Sequence, residues 1–388
     1  MRGLTAGLIR EAKAAAEGVI RPTPLVYSTS FSFLFGADIY LKLENLQKTG
    51  SFKPRGAYNK IRSLTNEEKK RGVIAASSGN HAQGVAWAAS FCGIKSTIVM
   101  PETAPITKRV ATVGYGASVV SHGSSFDEAC ARAIEIARKK GLTFIHPFDD
   151  ELVMAGQGTI GLEILEALPD VSTIIVPVGG GGLISGIATV VKEIRRSVKV
   201  IGVQARRKDS ASTIADGIAI KKIGKKTSPV IKKYVDDILR VGEDFIAEAI
   251  LKLMERKKLV VEGAGAIGLA ALMEGRVRAK GKTVIVLSGG NIDVTTLDRV
   301  IRLGLLKEGR VARIAVEIAD VPGALANLTF EIAALKSNIL HVTHMRDAIE
   351  VSVGRTKVEL ILEVEDDSHA KRIRKRLKQK GYEIDGGA

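Results

Sequence analysis

Four consecutive glycines, Gly179 to Gly182, constrain this chain more than any other stretch. Before them stand Ile174, Ile175, Val176 and Val178, a short apolar run of strand type. After them come Leu183, Ile184, Ile187, Val190 and Val191 at helical spacing. A strand, a glycine turn and a helix in that order bring bare backbone N–H groups and the positive end of a helix dipole to one point. Such a point holds an anion, and a phosphate above all. Glycine lets the backbone approach the anion closely and reach positive φ angles.

Two plainer readings compete. No charged residue occurs between Val171 and Val191, a run long enough to suggest a membrane span. Four adjacent glycines and Pro177 break any helix there, so no membrane partner is expected. The other reading is a tight turn in a buried parallel sheet, but such a turn needs one or two glycines, not four.

Over 388 residues there is room for two or three domains. The cysteines, Cys92 and Cys130, make no disulfide framework, which fits a reducing compartment. The first twenty residues read as a polar amphipathic helix rather than a leader, so a cytoplasmic location is expected. The 58 basic and 42 acidic residues give a net charge of +16, which raises the question of a nucleic-acid partner. Aromatics make up only 4% and the bases are spread along the chain. In the one dense basic patch, Lys371 to Lys380, Ile373 and Leu377 mark the buried side of a helix, and no nucleic-acid partner is expected.

Taken in order, Pro22 to Leu25 reads as an extended lead-in and Asp38 to Leu43 as a strand. Ser51 to Leu64 reads as a helix capped by Ser51, with Lys53 in its first turn. A lysine there opposes the helix dipole, which points either to a solvated side chain or to an amine kept neutral or bonded to a carbonyl. Gly72 to Ala76 is a strand, and Ser77-Ser78-Gly79-Asn80-His81 is a polar turn into a helix, suited to a carboxylate. Strands at Ser96 to Met100, Ser118 to Ser121 and Thr143 to His146 alternate with helices at Pro105 to Tyr115 and Ser125 to Lys140. Gly156 to Thr159 is expected to start a further helix. The alternation predicts an α/β architecture with parallel sheets flanked by helices.

Gly263-Ala-Gly265-Ala-Ile-Gly268 has the spacing of a dinucleotide loop, but the acidic residue that should end the next strand is missing. Close helix–strand packing is the better reading. Beyond Leu306 the pattern reads βαββαβ, a small α+β ferredoxin-like unit. The expected domains are 1–308, with a smaller subdomain at about 48–150 inserted in it, and 309–388. His341 and His344, three apart on a strand, face opposite sides, and no metal site is expected.

Together, Ser51 to Ala57, Ser77 to Gly84, Ala155 to Thr159, Gly179 to Leu183 and Ser288 to Asn291 resemble pyridoxal-phosphate enzymes of fold type II, the tryptophan-synthase-β type. Their order and spacing are similar to the threonine dehydratase family, and the tail looks like its single ACT domain. The resemblance implies pyridoxal 5′-phosphate as cofactor, with Lys53 bonded to its aldehyde and Phe52 stacked on its ring. Asn80 would meet the ring hydroxyl, Gly179, Gly180, Gly181, Gly182 and Leu183 the phosphate, Ser288 the ring nitrogen, and Glu262 would lie beside the ring. Ser77, Ser78, Asn80 and His81 would receive the carboxylate of a small amino-acid substrate, with Lys53 and Ser78 as the catalytic pair.

The implied reaction is β-elimination and deamination of L-threonine to 2-oxobutanoate and ammonia, with some action on L-serine. Pro54-Arg55-Gly56 after the lysine resembles the dehydratase and serine-racemase branch rather than the synthases, which carry Asp there. Serine racemase and serine dehydratase share these motifs and stay open, as does an amino-acid-binding protein without catalysis. Gln204 to Asp209 lacks the acidic cluster of the racemases' cation site. By the same resemblance Asp320, Pro322, Gly323 and Asn338 would bind an amino-acid effector, and the chain would form a homodimer or homotetramer.

Overall fold

The computed structural model describes residues 3–206, 213–218, 222–346 and 351–384. It divides into two compact units, Met1–Thr296 and Leu297–Ala388. The first holds two sheets. Six strands run in the order Leu25–Tyr27, Asp38–Leu43, Lys282–Leu287, Thr173–Pro177, Lys199–Ala205, Asp237–Val241. The first pairing is antiparallel and the others are parallel. A smaller parallel sheet, ordered Ser118–Ser121, Ser96–Met100, Val73–Ala76, Thr143–Phe144, falls in sequence between Asp38–Leu43 and Thr173–Pro177. Every residue of Thr173–Pro177 is buried, as expected of a central parallel strand covered on both faces.

The glycines of Gly156 to Thr159 do not start a helix. The helix runs Glu151–Ala167, begins at Asp150, whose carboxylate accepts from the Leu152 and Val153 amides, and carries these residues in its middle. They mark a crossing of three helices. A Cβ on Gly156 would lie 2.4 Å from the Arg55 carbonyl oxygen of the Lys53–Arg62 helix. A Cβ on Gly186, in the Gly182–Ile194 helix, would lie 2.3 Å from the Met154 oxygen, and one on Gly158 would lie 2.9 Å from the Gly186 oxygen. Glycine inside a helix costs about 1 kcal/mol against alanine. Backbone contact between helices is what that cost secures. The helix behind Lys53 and the helix behind the glycine run are thereby set against one common helix.

The same helices share a buried charge cluster. Arg55 donates from Nε to Glu44 at 2.8 Å and from Nη1 to Glu163 at 2.6 Å, and Lys42 reaches Glu163 at 2.5 Å. Thr23 hydrogen-bonds Glu44 through its hydroxyl. Burial works against the Arg55 charge, but Glu44 and Glu163 outweigh it and hold the guanidinium above its ordinary pKa. For Lys42 burial wins, and its pKa is lowered despite Glu163 and Glu44.

The second unit is βαββαβ, with an antiparallel sheet ordered Asn338–Met345, Arg355–Glu363, Val311–Ala319, Glu383–Ile384. Ala324–Ala334 and Asp367–Gln379 are its helices, and Ile314, Val316, Leu328, Ile332, Leu360 and Ile373 form its core. Among the described residues no helix is long and apolar enough to cross a membrane.

Removing one member of a buried ion cluster strands its partners. Glu163→Ala should cost about 3–5 kcal/mol in urea unfolding. Lys13→Ala, in the half-exposed Lys13–Glu166 pair, should cost no more than about 1 kcal/mol. Equal losses would show that the cluster contributes nothing special.

Candidate active site

Ser51 does not cap the helix that carries Lys53. Its backbone is extended, with an isolated antiparallel bridge to Gly289, and Phe52 occupies the cap position without a side-chain bond. The Phe52 amide donates to the Ser288 carbonyl at 3.1 Å, and the Gly290 amide to the Gly50 carbonyl at 2.9 Å. This short zipper delivers Lys53 as the first helical residue, with Pro54 next, where a missing N–H has no helical partner to lose.

Lys53 Nζ donates to the Pro147 carbonyl at 2.9 Å and lies 5.1 Å from the Phe52 ring centroid. Burial lowers its pKa from 10.5 to about 8, against the pull of Glu262. The solvated-lysine reading therefore fails, because the amine is part-buried and its neutral form is favoured more than in water. Glu262 accepts from Asn80 Nδ2 at 2.7 Å. Asn80 Oδ1 in turn accepts from Asn291 Nδ2 at 2.8 Å, and that nitrogen also donates to the Thr49 carbonyl at 2.7 Å. A carbonyl can only accept, which fixes the orientation of both amides and leaves Asn80 a second N–H to offer.

The helix after the polar turn begins at Asn80, earlier than its apolar residues suggest. Ser77, Ser78, Gly79 and Asn80 are half-buried, and the Ser77 hydroxyl accepts from the Gly79 amide at 3.2 Å. His81 points inward. Its Nε2–H donates to the Ile145 carbonyl at 2.9 Å, and burial together with nearby Lys53 pushes its pKa to about 3. Its imidazole is committed and neutral, so what it presents at the turn is a backbone N–H.

The glycine run joins Thr173–Pro177 to the Gly182–Ile194 helix as expected. Only Gly181 has positive φ, at 96°. The others answer to crowding. A Cβ on Gly180 would lie 2.4 Å from the Phe148 ring, and one on Gly182 would lie 2.8 Å from Phe148 Cβ. Phe148 follows the Pro147 that holds Lys53, so one short segment touches both the amine and the loop. Ser288 and Glu262 are buried, as is Leu183 in the first turn of its helix. Gly263 to Gly268 begin the Gly263–Met273 helix, and a Cβ on Gly268 would lie 2.7 Å from Ile285 of the neighbouring strand, which is close packing.

Asp149, Phe148, Thr227 and Asn291 were not singled out as acting residues in the sequence, because no spacing rule connects them to Lys53. Only Asn291 carried a signal, as the end of Ser288 to Asn291. Of Gln204 to Asp209, residues 207–209 lie outside the described residues, as do 210–212 and 219–221 of the glycine-containing loop that follows.

In the second unit, Asp320, Pro322 and Gly323 form the turn after Val311–Ala319, with Gly323 at φ 88° and Asp320 3.2 Å from Arg346. Asn338 opens its strand level with Glu363, which pairs with Val311, the far end of the same strand. Asn338 and the turn are therefore separated by nearly a strand length, roughly 25 Å. One copy does not bring these four residues together. His341 and His344 are both exposed on this strand.

Residues 16–289 match the family described as pyridoxal-phosphate dependent enzymes. The chain belongs to that family, and pyridoxal phosphate is its cofactor. It is 52% identical to an L-threonine ammonia-lyase of Thermotoga maritima, covering 97% of this chain and 98% of that one. Among solved structures, a processed threonine deaminase isoform 2 from Solanum lycopersicum is 36% identical with a TM-score of 0.72, covering 77% of this chain and 88% of that one. Maize serine racemase is 35% identical with a TM-score of 0.73, covering 79% and 99%.

The depressed Lys53 pKa has a stability signature. At pH 8 and below, folded and unfolded chains both carry the proton, and the folded one bears the buried charge. Between about 8 and 10.5 the unfolded chain binds more protons, so stability rises with pH. Cofactor-free Lys53→Met should be the more stable protein at pH 7 and lose that advantage as pH approaches 10.5. Denaturant titrations at several pH values check this, and a flat difference would contradict the burial of the amine.

Proposed function

We propose that this chain is an L-threonine ammonia-lyase, converting L-threonine to 2-oxobutanoate and ammonia, with weaker action on L-serine. The observation that carries it is the likeness to the Thermotoga L-threonine ammonia-lyase, which runs through both units at 52% identity. The residues present fit the cofactor. Lys53 is an amine of depressed pKa, the Gly182–Ile194 helix opens with amides lacking helical partners, and Asn80 has an N–H to spare.

In this reading Lys53 holds the cofactor aldehyde and Phe52 lies against its ring. Gly179 to Leu183 hold the phosphate, Asn80 the ring hydroxyl and Ser288 the ring nitrogen. When bound, the cofactor supplies an electron-withdrawing ring that stabilises negative charge at the substrate Cα. The substrate carboxylate is received at the Ser77 to His81 turn by hydroxyls and by helix N-terminal amides. Lys53, when free, takes the Cα proton. With a pKa of about 8, about a tenth of it is unprotonated at pH 7. Ser78 stands at the turn to move a proton beside the same carbon. The β-hydroxyl departs with one proton as water, the enamine becomes an imine, and one water returns to release ammonia. A neutral serine at the ring nitrogen would leave the ring a weaker electron sink than a carboxylate would, which favours prompt loss of the β-hydroxyl.

The second unit we read as an ACT-type regulatory domain that binds an amino-acid effector. Its separated residues require two copies, Asn338 of one completing the Asp320 to Gly323 turn of another. The domains are accordingly read as 1–308, with an inserted part at about 48–150, and 309–388, in a homo-oligomer. Serine racemase is the second reading, favoured by the likeness to the maize enzyme.

The purified protein should show the visible band of a lysine-bound cofactor. L-Threonine should shift the band and release keto acid, and Lys53→Ala should lose both band and turnover. One methyl separates the two substrates, so kcat/KM for threonine should exceed that for serine by about 10- to 200-fold. Release of D-serine without keto acid would favour the racemase, and a colourless protein that takes up no cofactor would end the enzymatic reading.

A further inference from the structure

Against the glycine loop and the helix that follows it packs the Thr227–Tyr234 helix. Its first residue, Thr227, is fully buried. The Thr227 hydroxyl donates to the Gly180 carbonyl at 2.7 Å, and the Gly224 amide donates to the same oxygen at 3.2 Å. In a trans peptide the carbonyl and the following N–H point in opposite directions. Pinning the Gly180 oxygen toward Thr227 therefore turns the Gly181 N–H the other way, toward the mouth of the loop. No side chain fits at Gly181 on this side of the loop. A Cβ there would lie 2.7 Å from Ile231 Cδ1 and 3.0 Å from the Thr227 hydroxyl oxygen.

Thr227 is held in turn by Asp149. The Asp149 carboxylate accepts from three successive amides, Lys225 at 3.0 Å, Lys226 at 2.7 Å and Thr227 at 3.1 Å. The cap residue of this helix, Lys226, makes no side-chain cap bond, so Asp149 serves as cap from a distant part of the chain. Gly224 fits beneath it because a Cβ there would lie 2.2 Å from Asp149 Oδ1. The carboxylate is two residues beyond Pro147, whose carbonyl holds Lys53 Nζ, and next to Phe148, whose ring lies on Gly180. Three consecutive residues thus touch the amine, the loop and the clamp on its Gly180 carbonyl.

We propose that Thr227 and Asp149 are positioning residues for the anion site. Thr227 aims the Gly181 amide, Asp149 fixes Thr227, and both serve affinity for the cofactor's phosphate rather than bonding at Lys53. The proposal rests on the reading that Gly179 to Leu183 hold that phosphate. It separates two halves of cofactor binding, because pyridoxal offers the aldehyde to Lys53 but has no phosphate for the loop.

The test uses cofactor-free full-length protein titrated with pyridoxal 5′-phosphate and, separately, with pyridoxal, following the visible band. Thr227→Val keeps shape and β-branching but removes the donor. It should weaken pyridoxal phosphate by roughly 10- to 100-fold while leaving pyridoxal within about twofold. Thr227→Ser, which retains the hydroxyl, should restore the parent's preference. Asp149→Asn should reduce the preference in the same direction, and it carries the measurement if Thr227→Val does not fold. A parent that binds the two compounds equally would overturn the phosphate reading of the loop and the proposal with it. A parent that prefers the phosphate, with variants that keep the same preference or lose both compounds equally, would overturn the proposal alone.

Discussion

Everything at the site depends on the crossing of three helices at Gly56, Gly156, Gly158 and Gly186. There the Glu151–Ala167 helix meets the helix that begins at Lys53 and the helix that follows the glycine loop, backbone against backbone. Side chains at such a contact would hold the axes apart and leave each helix free to settle on its own rotamers. Without them, the separation is set by main-chain atoms, which do not change rotamer. The Gln157 side chain adds a bond to the Gly56 amide at 3.1 Å. The two chemical ends of the site, an amine and an anion cradle, thus inherit their spacing from one rigid element.

The charge cluster of Lys42, Glu44, Arg55 and Glu163 works at the same junction with a different currency. Four ionisable groups with little exposure are costly to desolvate and are tolerated only when paired. Their pairing is directional, so it admits one arrangement of the Asp38–Leu43 strand and the two helices. Lys53, two residues from Arg55, takes the opposite path. Burial there is not compensated by an ion pair of comparable strength, and the amine is driven toward neutrality. One short helix therefore contains a cation stabilised by its surroundings and another destabilised by them.

Much of the fold was legible because it follows from local periodicity. The strand–glycine–helix unit, the alternation through Lys140 and the βαββαβ tail all emerge close to their expected bounds. Errors arose where a glycine or a serine admits two meanings. Ser51 looks like a cap, yet it is drawn into a bridge with Gly289, distant in sequence. Gly156 and Gly158 look like a helix start, yet they serve a helix crossing whose partners lie elsewhere in the chain. The four glycines of the loop suggested several positive φ angles, and one residue has it. Phe148 and Ile218, which crowd the others, are invisible at that range.

The sequence by itself determined the architecture of each unit, the position of Lys53 in the first turn of a helix, and the glycine junction fit for an anion. Those depend on residues within a few positions of one another. Tertiary structure alone decided that the lysine pKa is depressed, that the His81 ring is spent on the Ile145 carbonyl, and that the Asp149 carboxylate caps a helix far along the chain. It also separated Asn338 from the Asp320 to Gly323 turn, which the motif alone would have merged into one pocket. The reason is physical: desolvation and hydrogen-bond direction are properties of surroundings, and surroundings exist only once distant segments have met.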